Sequence, residues 1–491
     1  WVEAEFNGRK LTSNPVEVVA SDEGLGRYWG DLHGQSEETI GTNTIRDYFE
    51  FARDYAMLDV AAHQGNDFQM SDRFWEYLNE LTAELNDSGR FITFPGYEWS
   101  GNTANGGDRN VYFTEEGGPI IRSSLEMVPG KASHWAPAPT AKDLFKTLKG
   151  IERPPCFMFA HVGGRYADIR IHDEDLEGAV EVHSAWGTFE WIVEDALKYG
   201  YRVGICANSD GHKGRPGASW PGAGKFGSLG GLTCIRASRL DRESVYNAIK
   251  SRHYYGTTGN RSLLDVRLFR GEDAVAMMGD ILSGENWPYR LEIEATGTAP
   301  LEFIEVFNGT TLLERIYPDN RANRDEYGKR FKIVWSGAER KGRARLVPWD
   351  GGLVTENNEI AGFEAINFLN ANHPVVQHNA KSLSWKATTT GGTSGLVLEF
   401  KERGKGNIKI ATLPGSIEYD LAAKRLEDQV LHCGGVKKRI DIRPLPDNPG
   451  SCSVRASLDL PVLQPGDNPI YVKITQEDGH MAWTSPIYLY F

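Results

Sequence analysis

The chain has 491 residues, a formal net charge of −13 at pH 7 and a pI near 5.5. This length exceeds what one ordinary hydrophobic core organises, so we expect two or more domains. The acidic average argues against broad binding to nucleic acid or anionic membranes, because a phosphate backbone needs a basic face. No apolar run reaches the about 18 residues of a membrane span, and we expect a small-molecule partner rather than a nucleic acid.

The five cysteines predict buried thiols rather than a disulfide framework. They form no CxxC pair, their number is odd, and three lie in apolar runs such as PPCFMFA and GICAN. This usage leans toward a reducing, cytoplasmic compartment. Because Trp1 is not an initiator methionine, we expect a truncated N-terminus, and a removed signal peptide remains an alternative.

From about residue 26 to residue 265, short apolar runs alternate with helical patterns. The predicted strands lie in RYWGDLH, MLDVAAH, RFITFPGYE, PPCFMFAHV, AVEVHSA, RVGICANSD and GLTCIRA. The predicted helices between them are TIRDYFEFARDYA, SDRFWEYLNELTAEL, TAKDLFKTLKG, FEWIVEDALKYG and RESVYNAIKSR. Ser71 and Thr140 are predicted N-caps, and Gly200 is a predicted helix stop. This alternation favours an α/β fold with parallel strands, and about seven strands suggest a barrel or a strongly curved sheet.

After residue 265 the pattern changes to that of antiparallel sheets. Segments such as LLDVRLFRG, YRLEIEATG, GLVLEFKERG and YVKITQEDG alternate apolar and polar residues between turn residues. The first 25 residues have the same character. We therefore predict an N-terminal β segment at 1–25 that packs on the accessory domain, an α/β domain at 26–265 and a β-rich accessory module at 266–491.

Polar residues cluster where the predicted strands of the first half end. In chain order they are Asp31, His33, Gln35, His63, Gln64, Asp67, Glu98, His161, His183, Asp210 and His212. The carboxyl ends of parallel barrel strands meet at one rim, where such folds build their sites. A single histidine at a strand end is more often structural, but so many polar groups together favour a site for Zn, Mn or Fe. Asp31 is predicted to orient the His33 ring rather than to bind metal.

Four cations stand next to these acids in GDRNVYF, HVGGRYADI and DGHKGRPG, namely Arg109, Arg165, Lys213 and Arg215. Surface charge or local salt bridges would explain any one of them. Together they favour an anionic substrate, because the guanidinium fork suits phosphate, sulfate or carboxylate. Trp186 is predicted to form part of an aromatic wall beside them.

The motifs WGDLHGQS, FPGYEWSG with GGDRNVYF, FAHVGG and NSDGH occur in the order found in the PHP (polymerase and histidinol phosphatase) superfamily. The chain most resembles the uncharacterised DUF3604 branch, whose ending is also similar to QEDGHMAWTSPIYLYF. The resemblance implies a distorted seven-stranded barrel that binds up to three metal ions and hydrolyses phosphoesters.

By position, the resemblance implies five metal ligands: His33, Glu98, His161, Asp210 and His212. Three positions depart from the family pattern. Gln35 replaces a second histidine, HQGND replaces the usual Thr-Asp-His, and Asp108 stands where another histidine is expected. An amide oxygen is a weaker ligand than imidazole. We therefore predict one or two ions, with Gln35, His63 and His183 as further ligands.

The function predicted from these residues is metal-dependent hydrolysis of a phosphoester or related anionic ester by metal-activated water. Arg109, Arg165 or Arg215 would neutralise developing charge, and His63, His183 or Asp210 would transfer the proton. One alternative is a metal-dependent hydrolase of a lactone, amide or carboxylic ester. The other is a catalytically reduced protein that binds carbohydrate or protein.

Overall fold

The computed structural model describes residues 1–18, 24–128, 135–217, 227–284, 288–318, 326–342 and 345–491. Within these ranges the fold is mixed α/β, with few helices and a large β-rich portion that follows the last helix. No helix in the described ranges combines the length and apolar character needed to cross a membrane.

The helices of the described chain all precede residue 251 and match the five predicted segments. They are α1 (Ile45–Asp54), α2 (Asp72–Leu85), α3 (Ala141–Lys149), α4 (Glu190–Lys198) and α5 (Arg242–Lys250), with a 3₁₀ turn at Thr103–Asn105. The predicted N-caps Ser71 and Thr140 are confirmed, since each side chain accepts a hydrogen bond from a backbone N–H of the first turn. Gly200, just beyond α4, has a φ of 77°, which permits the chain to leave the helix there.

The strands of the first half are β1 (Glu3–Phe6), β2 (Arg9–Thr12), β3 (Gly26–Asp31), β4 (Val60–Ala62), β5 (Ile92–Phe94), β6 (Gly96–Ser100), β7 (Asp108–Phe113), β8 (Cys156–Ala160), β9 (Glu177–Ser184), β10 (Gly187–Thr188), β11 (Gly204–Ala207), β12 (Leu232–Ala237) and β13 (Tyr254–Thr257). All seven predicted strands are present. RFITFPGYE, however, is divided at Pro95 into β5 and β6, because proline has no N–H to donate, and β7 and β13 were not predicted.

The predicted distorted seven-stranded barrel is not shown, because the strands that would form it belong to two sheets. One contains β5-β4-β3-β12-β13 and the other contains β6-β7-β8-β9, with β11 beside β9. Pairing is parallel among β3, β4 and β5 and among β8, β9 and β11, whereas β7 and β12 run antiparallel to their neighbours. Two isolated bridges, Gly34 to Gly211 and Asn66 to Glu98, connect the sheets at one end.

Apolar side chains fill the space between these two sheets. The cluster includes Leu32, Val60, Phe94, Tyr112 and Phe159, all essentially inaccessible to solvent. The helices α1, α2 and α3 contribute to a different cluster, on the opposite faces of the strands. Successive strand residues therefore alternate between an inner surface and a helix-covered outer surface.

The strands of the second half are β14 (Leu263–Arg270), β15 (Asp273–Met277), β16 (Ile281–Ser283), β17 (Arg290–Thr296), β18 (Leu301–Asn308), β19 (Thr311–Ile316), β20 (Tyr327–Ala338), β21 (Val347–Pro348), β22 (Gly351–Glu356), β23 (Ile360–Ile366), β24 (Val376–Asn379), β25 (Ser382–Trp385), β26 (Thr388–Thr389), β27 (Thr393–Phe400), β28 (Asn407–Thr412), β29 (Ser416–Asp420), β30 (Gln429–His432), β31 (Val436–Pro446), β32 (Ser453–Asp459), β33 (Asp467–Gln476), β34 (Met481–Thr484) and β35 (Ile487–Tyr490). Two five-stranded sheets, β23-β27-β20-β31-β30 and β24-β25-β22-β28-β29, enclose a separate apolar core. Trp335 and Trp385 stack in that core with ring centroids 4.8 Å apart.

The sheet of the first half continues across residue 265. Strand β34 pairs with β13, with Tyr255 opposite Thr484, and β33 and β35 extend the same sheet. At the other end of the chain, β1 and β2 form a two-stranded sheet and have no further strand partner among the described residues, and their side chains are exposed. The domain boundaries remain predictions, but the C-terminal strands are structurally part of the first sheet.

Candidate metal centre

Three buried side chains converge where the two sheets of the N-terminal half meet, at the end that the two isolated bridges connect. Ligand atoms of His33, Glu98 and His161 all lie within 4.8 Å of one another. His33 follows β3, Glu98 lies in β6 and His161 directly follows β8. The convergence of strand-end residues expected from the sequence therefore brings these three together.

The His33 ring is held by a carboxylate from the neighbouring sheet. Its Nδ1 lies 3.2 Å from Glu181 Oε2 and 3.3 Å from Glu181 Oε1, and its Nε2 lies 3.4 Å from Asp210 Oδ1. Asn208 Nδ2 donates to Glu181 Oε2 at 2.8 Å, and Ser209 Oγ donates to the His33 carbonyl at 2.9 Å. Such a carboxylate behind one ring nitrogen fixes the orientation of the other nitrogen toward a metal.

The Glu98 carboxylate has one committed oxygen and one that faces the histidines. Its Oε2 accepts from Asn66 Nδ2 at 2.7 Å and from Gln35 Nε2 at 3.3 Å. Its Oε1 lies 3.7 Å from His161 Nε2. The His33 and His161 rings meet edge to face with centroids 4.4 Å apart. The three candidate ligands therefore face a common space between the two sheets.

Burial and like charge perturb the acids of this centre. Burial raises the pKa of Glu98 well above its usual range, and the carboxylates of Asp108 and Asp210 raise it further. Burial also raises the pKa of Asp108 to about 7, despite the opposing charge of Arg165. Burial lowers the pKa of His33, but Asp210 and Glu181 outweigh it and raise that pKa to about 10. A bound cation would relieve the repulsion among these carboxylates.

The donor set fits a divalent transition metal. Within the described ranges, four buried atoms of the centre have no hydrogen-bond partner: His33 Nε2, His161 Nδ1, His161 Nε2 and Asp108 Oδ1. An unpaired buried polar group costs about 1–3 kcal/mol, so a ligand that engages several of them is favoured. Imidazole nitrogen combined with carboxylate oxygen suits Zn, Mn or Fe.

Gln35 and Asp210 lie at the edge of this centre. The Gln35 amide donates to Glu98 and to Asn66 Oδ1, the latter at 3.2 Å, while its Oε1 accepts from Thr39 Oγ1 at 2.9 Å. Its oxygen therefore already has a partner. Asp210 has a φ of 45°, an unusual backbone conformation for a non-glycine residue, beside His33.

His63 lies away from the cluster, although the sequence predicts it as a ligand and proton carrier. Its ring packs edge to face on Tyr48 and Phe74 of the helix layer. Its Nε2 faces the Ser36 N–H at 3.0 Å and its Nδ1 faces the Gly65 N–H at 3.2 Å. Burial lowers its pKa to about 3. Since Val60 and Ala62 of β4 face the inner core, strand alternation turns His63 outward.

His183 and His212 are also outside the three-residue cluster. His183 Nδ1 lies 2.8 Å from Thr188 Oγ1 and its Nε2 lies 3.0 Å from the Leu229 carbonyl, so both ring nitrogens have protein partners. His212 is partly exposed, with Nδ1 3.0 Å from the Asp210 carbonyl and its ring edge-on to Trp186 at 6.0 Å. His212 and Trp186 thus border the centre rather than enter it.

Among the predicted substrate cations, Arg109 has a structural role. It is fully buried, its Nε donates to Glu177 Oε1 at 2.6 Å, and its Nη2 donates to the Ile171 carbonyl at 2.6 Å. Because Asp108 is inside, alternation along β7 places Arg109 on the outer surface. This side chain has no remaining freedom to bind substrate.

Arg165 is the predicted cation that contacts the centre. Its side chain is 31% exposed, and its Nη1 lies 3.5 Å from Asp108 Oδ1. Its backbone N–H donates to Asp108 Oδ2 at 2.5 Å. Lys213 and Arg215 are exposed on the loop after Asp210. Arg165 is therefore positioned to contact both the acids and solvent.

Asp31 supports the loop after β11 rather than the His33 ring. Its carboxylate accepts from the N–H groups of Ser209 and Gly217 at 2.9 and 2.8 Å, and burial raises its pKa to about 6. Strand β3 ends at Asp31, before His33 and Gln35. The ring partner that sequence reasoning missed is Glu181, a lone carboxylate in the apolar strand AVEVHSA.

Comparisons with known proteins place this chain among uncharacterised relatives. Residues 9–160 and 213–281 match the model of a protein family of unknown function, DUF3604, which confirms the resemblance to that branch over these segments. An uncharacterized protein of Chlamydia pneumoniae is 25% identical over 342 residues, which cover 64% of this chain and 52% of that protein. One from Chlamydia trachomatis serovar D is 25% identical over 346 residues, 65% and 53% of the two chains. This chain spans about half the length of the curated relatives it matches.

Two solved structures are similar at low identity. A two-domain protein from Bacteroides vulgatus, containing a predicted PHP-like metal-dependent phosphoesterase, is 13% identical with a TM-score of 0.37, covering 83% of this chain and all of that one. Endonuclease Q, in complex with a 27-mer duplex that carries an abasic lesion at the active site, is 14% identical with a TM-score of 0.31, covering 46% of this chain and 57% of that one.

The expectation that nucleic acid is not a partner is corrected by this comparison, because Endonuclease Q binds duplex DNA. The physical error lies in using an average charge. A net charge of −13 describes the whole chain, whereas a metal site carries its own local positive charge. An acidic protein can therefore bind a phosphate backbone at such a site.

Proposed function

We propose that this protein is a hydrolase that depends on a divalent transition metal and acts on a phosphoester or related anionic ester. The observation that carries the proposal is the buried group of His33, Glu98 and His161, whose ring nitrogens include three without hydrogen-bond partners in the described chain. Asp108 and Asp210 add carboxylates beside it. The proposed barrel is of the distorted PHP type, and the ion is Mn, Zn or Fe.

The residues proposed to hold the ion are His33, Glu98 and His161, with Asp210 adjoining. His63 and His183 are left out, because both ring nitrogens of each already face protein partners. His212 stays outside the inner group as well. The proposal thus keeps the ligands that reach the space between the sheets.

When bound, the ion would act as a Lewis acid on the substrate and on water. The chain supplies the remaining functions. Arg165 extends from Asp108 toward solvent and is placed to contact an anionic oxygen of the substrate. Asp210, beside His33, is the carboxylate proposed to take up a proton. Glu181 and Asn208 keep the His33 ring in the orientation that the site requires.

Metal content and substrate choice test this proposal together. Protein purified without chelator is analysed for bound metal by mass spectrometry, then assayed with Mn, Zn or Fe on p-nitrophenyl phosphate, bis(p-nitrophenyl) phosphate, p-nitrophenyl acetate and a lactone. We expect at least one equivalent of metal and turnover of a phosphate ester. His161→Ala should abolish both, whereas His378→Ala, an exposed histidine of the β-rich module, should leave both intact.

Each of the other outcomes rejects a specific part of the proposal. Turnover of only the acetate or lactone would favour the non-phosphate hydrolase. Less than about a tenth of an equivalent of metal, with no gain after adding Mn, Zn or Fe, would contradict metal dependence itself. That result would instead favour the catalytically reduced binding protein.

A further inference from the structure

Asn110 is a buried amide that the proposed chemistry has not used. It lies on β7, is inaccessible to solvent, and neither its Nδ2 nor its Oδ1 has a hydrogen-bond partner in the described chain. Buried amides in folded proteins are nearly always paired, with protein groups or with water. Because both polar atoms of the Asn110 side chain are unpaired, we expect that this amide binds another molecule.

The strand register directs Asn110 toward the candidate metal centre. Asn110 is directly opposite Glu98 on β6 and Phe159 on β8, and residues opposite each other in antiparallel strands lie on the same face. Two residues along, Tyr112 donates its hydroxyl to the Leu32 carbonyl at 2.9 Å. The face of β7 that carries Asn110 therefore points toward the strand that leads into His33.

Gln64 provides a second amide on the same inner surface. It is buried, its Nε2 reaches the Val111 carbonyl only at 3.4 Å, and its Oε1 is unpaired within the described ranges. A Cβ on Gly96 would fall 2.2 Å from Gln64 Nε2 and 2.6 Å from the Val111 carbonyl oxygen, so the Gln64 amide packs directly on Gly96. Gly96 is opposite Tyr112, which makes Gln64 a diagonal neighbour of Asn110.

We propose that Asn110 and Gln64 form a neutral pocket that holds one water molecule against Glu98, and that this water is the nucleophile. The two amides offer acceptor oxygens and a free N–H donor, which match the hydrogen bonds of water. Neutral amides do not offset an ion's charge, so the pocket suits a water molecule rather than a second cation. The role of nucleophile rests on the proposed hydrolase function, whereas the water site does not.

The reaction balances with water as the only co-reactant. The water oxygen forms a bond to phosphorus while the bond from phosphorus to the leaving alkoxide breaks. One water proton ends on that alkoxide, so the products are an alcohol and a phosphate. In this scheme Asn110 and Gln64 orient the lone pair of the water and do not change protonation state.

A high-resolution crystal structure of the wild-type protein tests the water site directly. We expect a water within about 3.2 Å of both the Asn110 amide and Gln64 Oε1. In Asn110→Leu this water should be absent while metal content stays at the wild-type value. No water in the wild-type pocket, or one unchanged in Asn110→Leu, would overturn the proposal.

The thermal stability of the same variant provides a test that is independent of activity. If Asn110 were unpaired in solution, leucine of similar shape would raise the melting temperature. We expect a lower one, as in the control Asn79→Leu, since Asn79 has both amide atoms paired, to the Trp75 carbonyl and the Gly117 N–H. A higher melting temperature for Asn110→Leu would refute the inference that the Asn110 amide has a hydrogen-bond partner in solution.

Kinetics then separate the nucleophile role from the water site. On an ester that the wild type hydrolyses, Asn110→Leu should lower kcat about 10²-fold with KM within about twofold, as for a misplaced reactant. An unchanged kcat would refute the role of nucleophile. If the water is present but no ester is hydrolysed, the pocket stands and the proposed function fails.

Discussion

Replacing Glu181 by glutamine tests whether the centre is organised for metal through the His33 ring. Both carboxylate oxygens of Glu181 lie within 3.3 Å of His33 Nδ1, and one also accepts from Asn208. Glutamine has the same size but only one oxygen. Because both carboxylate oxygens face His33 Nδ1, either orientation of the glutamine amide places an NH₂ group beside that ring nitrogen where an acceptor stood.

The expected cost follows from this loss of an acceptor. Changing a residue that orients a metal-binding histidine lowers metal affinity 10–100-fold, which corresponds to about 1.4–2.7 kcal/mol. The upper half of this range applies here, because Glu181 and His33 are both inaccessible to solvent and water cannot replace the missing oxygen. The contacts of the other two candidate ligands, Glu98 and His161, are not altered by this substitution.

The affinity for Zn and for Mn is measured by competition with a chromophoric chelator, in parallel with thermal unfolding of the metal-free protein. Glu177→Gln is the matched control, because Glu177 is another buried carboxylate of β9 but pairs with Arg109. It should lower the melting temperature while metal affinity stays within about twofold of wild type. Glu181→Gln should instead lower the metal affinity, with only a smaller effect on the melting temperature.

Equal loss of affinity in both variants would refute the reasoning, since it would show that any disturbance of β9 affects the metal. Wild-type affinity in Glu181→Gln would refute it in another way. That result would mean that His33 is not a ligand or that its orientation is fixed by the backbone alone.

Three further predictions concern the edge of the centre and the β-rich module. Arg165→Ala should lower kcat/KM for an anionic ester at least about tenfold without loss of metal, whereas wild-type kinetics would exclude Arg165 from substrate binding. Gln35→His should increase metal affinity or stoichiometry measured by mass spectrometry, and no change in either would place Gln35 outside the site. Burial raises the pKa of Glu302, but Arg443 and Lys332 outweigh it and lower that pKa below its ordinary value of 4.5, so its stabilisation is present above pH 4.5 and is lost as the pH falls through the folded-state pKa. Urea unfolding of Glu302→Gln should therefore show reduced stability at pH 7 and a weaker dependence on acid, and an unchanged acid dependence would contradict this.

The spacing of apolar residues and the helix-capping residues were sufficient to predict the helices, because both signals are local. The predicted strand ends also indicated which segments converge, since His33, Glu98 and His161 each stand at or near the end of a predicted strand. The pairing of the strands was harder to predict from the sequence. The unpredicted strand β7 carries GDRNVYF as an antiparallel partner of β6 and β8, and its pattern of charged and polar residues does not resemble a buried strand.

The sequence was least informative about which face of a strand each residue occupies. Asp108 and Arg109 are neighbours in the sequence, yet one joins the centre and the other pairs with Glu177 behind the sheet. His63 and Gln64 separate in the same way. A strand end gives no local signal for its face, because a shift of one residue reverses every side chain. Only the partner strands determine that choice.

The arrangement around Glu98 argues for a single ion rather than several. Gln35 and Asn66 both donate to Oε2, and only Oε1 faces His161. A carboxylate with one oxygen committed to two amides would hold a cation through its other oxygen. A histidine at position 35 would remove the Gln35 hydrogen bond to Glu98 Oε2 and would add a nitrogen ligand. The Gln35 amide restrains the Glu98 carboxylate through its hydrogen bond to Oε2, and for this reason we expect one equivalent of metal in the wild type and more in Gln35→His.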